Sequence, residues 1–79
     1  MQLGFYGLRI LRVLAGIEPG SVKCQKEGYR TQYLLHSDGE KVVVDKTVAS
    51  LLHQGLLVFD EELRATEKGL AVARGERVA

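Results

Sequence analysis

The chain has one cysteine, one proline, one methionine and no tryptophan among its 79 residues, and its aromatics stop at three tyrosines and two phenylalanines. A lone thiol, Cys24, leaves no internal disulfide to form and excludes a cysteine-based zinc site, which needs several such ligands at fixed spacing. Chains of this kind suit a reducing compartment, most simply the cytoplasm. With so few aromatics the core must be built largely from Leu and Val. A domain this short sits near the lower limit of what one core sustains, so further burial against a partner, including a second copy in a homodimer, would add stability. No apolar run approaches the length of a membrane span, and the first residues lack the basic, apolar and cleavage regions of a secretory signal. A membrane is therefore not among the expected partners.

An excess of one charge is missing too. The formal net charge is +1, unlike the strongly basic balance of most nucleic-acid binders. The distribution is uneven, however. Residues 1–36 carry five Lys/Arg against two Glu, and residues 37–79 carry six Lys/Arg against eight Asp/Glu. Attraction for phosphate is thus local, and Arg9, Arg12, Lys23, Lys26 and Arg30, with Tyr29 and Tyr33 between them, are the residues that could supply it.

Catalytic signatures are absent as well. His36 and His53 stand in no paired-ligand spacing, Cys24 has no identifiable base, and Gly4 and Gly7 form no phosphate loop because no strand precedes them. The expectation is a non-enzymatic protein with no cofactor and no metal. Cys24 reads as a buried or half-buried structural thiol.

What is present is a clear succession of elements. Residues 3–15 fit an amphipathic helix with Leu3, Tyr6, Ile10, Leu11 and Leu14 on one face, Gly7 among them, and Arg9 and Arg12 opposite. Gly16 and Pro19-Gly20 end it. A strand over Ser21 to Lys26, a turn at Glu27-Gly28 and an alternating strand from Tyr29 follow. Asp38-Gly39 then signals a hairpin, returning over Lys41 to Val44. Asp45 is suited to cap a helix over Lys46 to Gln54, which Gly55 stops. In that helix Val48, Leu51 and Leu52 face inward, while Lys46, Ala49, Ser50 and His53 face outward with Gln54 at the edge. Two short strands, Leu56 to Phe59 and Leu63 to Ala65, flank an acidic tip of Asp60, Glu61 and Glu62. Thr66 caps a last helix, and fraying is expected over 74–79. The fold class is α+β, a single domain over 1–79 ordered helix, β-hairpin or meander, helix, two-stranded wing, helix.

The steps Gly55-Leu56-Leu57 and Ala65-Thr66-Glu67-Lys68-Gly69, with the helix before them, resemble the recognition helix and wing of bacterial winged-helix regulators of the MarR and PadR kind, over residues 44–74. Asp45-Lys46-Thr47 is similar, more weakly, to the step that opens the second helix in the small YjhX-like family. The winged-helix resemblance implies double-stranded DNA as partner and a role in transcription regulation. It places Lys46, Thr47, Ser50, His53 and Gln54 in a major groove. Arg30 and Arg64 would hold phosphates. Winged helices also act as protein-interaction modules. The acidic tip at Asp60, Glu61 and Glu62, which phosphate would repel, makes a protein partner the alternative, as for a small phage or accessory protein acting on a larger complex.

Overall fold

The computed structural model describes residues 4–75, and the expectations for Leu3 and for 76–79 lie outside them. Three helices and two small antiparallel sheets form an α+β domain. In chain order these are α1 (Gly4–Leu14), β1 (Ser21–Glu27), β2 (Arg30–Ser37), β3 (Glu40–Val43), α2 (Asp45–His53), β4 (Leu57–Asp60), β5 (Glu62–Ala65) and α3 (Glu67–Ala73). The strand order β1-β2-β3 is a meander, and β4-β5 is a separate hairpin.

The core is aliphatic, as the composition requires. Ile10, Leu11 and Val13 of α1 meet Leu35 of β2, Val44, Val48 and Leu51 around α2, Leu56 and Leu57 at the start of the second hairpin, and Ala73 of α3. Tyr6, expected on the inner face of α1, is instead exposed, and Val13 takes a buried position. The inward arc of the helix is therefore turned toward Gly7, Ile10, Leu11 and Val13. α3 and β1 both lie against α1, so the helix buries the side that meets them.

The meander follows local turn chemistry. Asp38 and Gly39 both have positive φ, 53° and 76°, which suits the two-residue turns whose twist matches antiparallel strands. The first turn lies one residue later than its sequence signal: β1 runs to Glu27, and Gly28-Tyr29 form the turn. Tyr29 is consequently fully exposed at the tip instead of entering β2.

Asp45 also departs from its expected role. Val44 occupies the N-cap of α2 and no side chain caps the helix. The Asp45 carboxylate turns back across the chain, where Oδ1 accepts the Tyr33 backbone N–H at 2.6 Å. The Val44 N–H in turn donates to the Tyr33 carbonyl at 2.9 Å. Both backbone groups of one β2 residue are thereby tied to the start of α2, so the meander positions the helix. Asp45→Ala should cost about 1–2 kcal/mol, because it leaves the part-buried Tyr33 N–H without its acceptor, and Asp45→Asn should cost less. Urea midpoints of the two variants measure this.

Thr66 behaves as its sequence position predicts. Its hydroxyl accepts the Gly69 N–H at 3.1 Å as the N-cap of α3 and also donates to the Gly55 carbonyl at 2.7 Å. The Thr66 N–H donates to the Leu56 carbonyl at 3.0 Å. One residue thus joins the end of α2, the start of β4 and the start of α3.

Candidate nucleic-acid interface

The solvent face of α2 presents a set of exposed polar side chains. The helix has nine residues and is anchored by Val48 and Leu51, 0% and 1% exposed. Spacing of three and four residues puts Lys46, Ser50 and His53 on the side away from that anchor, where all three are exposed together with Ala49. Lys46, Thr47, Ser50 and Gln54 line one shallow depression with Leu51 at its base. Gln54 Nε2 donates to Ser50 Oγ at 3.0 Å, which orients an amide and a hydroxyl side by side. Lys68 of α3 reaches the Gln54 carbonyl at 3.4 Å and adds a second ammonium near the C-terminal end of α2. Lys68 was not foreseen from the sequence, because its proximity depends on how α3 folds back at Thr66.

The other expected contacts stand on different elements. Arg30 opens β2 at the tip of the first hairpin, where it lies across from Glu27. Arg64 is exposed on β5 opposite Val58, with Asp60 and Glu62 paired next along the same face of the hairpin. These carboxylates reduce the local potential at Arg64. The acidic tip is as exposed as anticipated. Asp60, Glu61 and Glu62 are all at the surface, Glu61 with φ 64° at the bend, and none forms an ion pair with another described residue.

Arg9 and Arg12 do not join a common basic face with Lys23, Lys26 and Arg30. Arg9 donates to Ser37 Oγ at 2.7 Å and pairs with Asp38, and Glu18 lies 3.8 Å from its Nε and 3.4 Å from Arg12 Nη1. Arg9 also stands over the Phe5 ring, 5.6 Å from its centroid. Its Nε is buried and has no hydrogen bond among the described residues. The two arginines on the outer side of α1 are therefore used to brace the helix against the loop after it and the β2–β3 turn.

Cys24, expected to be buried at least in part, is exposed on β1, because the outer half of the first hairpin projects beyond the core. It lies opposite Tyr33. The Tyr33 hydroxyl is raised above the usual phenol range, mainly by burial and then by Cys24 and Asp45 nearby, both of which oppose a further negative charge. Among the described residues no group of three His, Cys, Asp or Glu is arranged to hold a metal ion. No helix among them is long and apolar enough to cross a membrane.

Comparison with protein-family models, with curated proteins and with solved structures finds no match to this chain.

Proposed function

We propose that this protein is a small, non-enzymatic DNA-binding domain that lays the outer face of α2 in a major groove and acts in transcription regulation in the cytoplasm. The observation that carries this reading is the contiguous surface of Lys46, Thr47, Ser50 and Gln54 on a short, firmly docked helix followed directly by a hairpin. Ammonium, hydroxyl and amide groups are the donors and acceptors that read base edges and phosphates. His53 extends the surface by one helical turn. The resemblance of the residue 44–74 motifs to the helix and wing of winged-helix regulators points the same way.

The test is fluorescence anisotropy of a mixed-sequence duplex at two salt concentrations. Lys46→Glu should weaken binding roughly tenfold and lower the salt slope by about one, since a single phosphate contact is lost and its counterion is no longer released. Lys46 is exposed, so circular dichroism should be unchanged. Equal affinity of the variant and the native chain would remove α2 from the interface.

A second reading rests on the carboxylates of Asp60, Glu61 and Glu62, which form no ion pair among the described residues. Such a tip repels phosphate and suits a basic protein surface, which would make the domain an interaction module on a larger assembly. It gains if no duplex binds even at low salt.

A further inference from the structure

The outer edge of β1 carries unpaired backbone over a seven-residue strand: β1 is bonded to β2 on one side, and no described strand is bonded to the other. Lys23 to Glu27 are all exposed. A free edge of this length is a template for another strand, and proteins usually block it with a lysine that a neighbouring chain could not accommodate. Here the charges along the edge have an order that permits the opposite outcome.

Side chains alternate across a strand, so Lys23, Gln25 and Glu27 share one face of the sheet. Read in one direction the face is positive, neutral, negative, and read antiparallel it is its own complement. We propose that β1 is the interface of a two-fold homodimer, in which a second copy of this chain adds its β1 antiparallel to this one with Gln25 opposite Gln25. In that register each Lys23 faces Glu27 of the second copy, and the pair occurs twice. The two Gln25 amides meet on the axis, where each can donate to the other. Backbone hydrogen bonds supply the attraction, and the two ion pairs choose this register over its neighbours. A two-residue slip, with Cys24 opposite Cys24, would set Lys23 against Gln25 and forfeit both ion pairs.

Within its own sheet Glu27 is opposite Arg30, so in the dimer each Glu27 lies between two cations of different copies. On the other face Lys26 is set against Cys24 of the second copy, and Glu61 and Glu62 line the same cleft as Lys26 and offset its charge. The two meanders become one six-stranded sheet. Tyr29, fully exposed at the tip, is carried to the start of β1 in the second copy, near Ser21. The inference is independent of DNA binding, because it uses no residue of α2.

Sedimentation equilibrium under reducing conditions tests it, using the whole chain and two charge variants. The native chain should shift from monomer to dimer as its concentration is raised. Lys23→Glu alone sets two glutamates together at each end, and Glu27→Lys alone sets two lysines together. Each should weaken the dimer at least tenfold, since two favourable pairs become two repulsive ones. An equimolar mixture of the two variants restores both Lys–Glu pairs and should regain the dimer. A native chain that stays monomeric throughout, variants that dimerise as well as the native chain, or a mixture that fails to recover would each overturn the proposal. Circular dichroism of each variant shows that the fold is kept.

Discussion

Gly69→Ala is expected to destabilise the domain by about 1–2 kcal/mol, against the usual direction for a glycine within a helix. Helix propensity alone favours alanine by about 1 kcal/mol. Gly69, however, is buried where α3 crosses the junction between α2 and β4. A Cβ built there would press on the Leu56 carbonyl oxygen more closely than any real Cβ contact, and would lie 3.2 Å from Leu11 Cδ2. The obstacle is backbone, and it cannot turn aside as a side chain would. The same Leu56 carbonyl accepts the Thr66 N–H, so moving it also strains the connection that starts α3. Overpacking of this kind typically costs 1–3 kcal/mol and outweighs the propensity gain. The check is a urea midpoint for Gly69→Ala beside Lys68→Ala, an exposed neighbour on the same helix that should shift by no more than about 0.5 kcal/mol. Gly69→Ala as stable as the native chain would mean that α3 is not held against Leu56.

Leu51→Ala should have an effect at least as large, about 2–5 kcal/mol, from lost apolar burial and the cavity that remains. Leu51 is 1% exposed on a helix of nine residues, too short to persist in water without its packing. Unlike the Gly69 variant, this one acts on the element that carries the proposed interface, because Leu51 also forms the base of the depression lined by Lys46, Thr47, Ser50 and Gln54. Duplex affinity and stability should therefore fall together. Ser50→Ala separates the two: it removes the acceptor of the Gln54 amide at the surface, and should lower affinity while moving the urea midpoint little. A Leu51→Ala chain that folded normally and bound DNA as before would show that the position of α2 does not depend on this contact.

The proposed dimer would place two copies of α2 at a fixed separation. In two-fold DNA-binding proteins that separation must match whole helical turns of the duplex. Lys23→Glu therefore has a second use. If both proposals hold, it should remove any preference for a two-fold symmetric site over a single half-site. Loss of binding to the half-site as well would implicate β1 in phosphate contact instead.

Much of this architecture was legible from local chemistry alone. Period-3.6 patterns located α1 and α2, alternation located β2, and Asp38-Gly39 determined a turn through the positive φ that Gly, and less readily Asp, tolerate. Thr66 declared the start of α3, because a hydroxyl three residues before a free helical N–H finds its acceptor role without help from the rest of the fold. The outward set on α2 was also legible, since Val48 and Leu51 determine which side must be dry. Composition excluded a disulfide framework for the same local reason: one thiol cannot pair with itself.

Other features depended on distance in space rather than in sequence. Asp45 looked like a cap, yet its carboxylate serves Tyr33, twelve positions earlier, because the meander brings that N–H within reach. Arg9 and Arg12 looked like surface cations, and they became braces when the chain reversal at Glu18 and the turn at Asp38 were folded against α1. Cys24 looked apolar enough to bury, but β1 projects beyond the core and leaves it at the surface. Gly69 could be a weak point in a helix or a requirement, and only the approach of the Leu56 carbonyl decides between them. Sequence alone determined the elements and their wet faces, because those depend on neighbours within a few residues. Which polar groups remain free to meet a partner was decided by tertiary structure, because it depends on which charges and carbonyls the fold has already used.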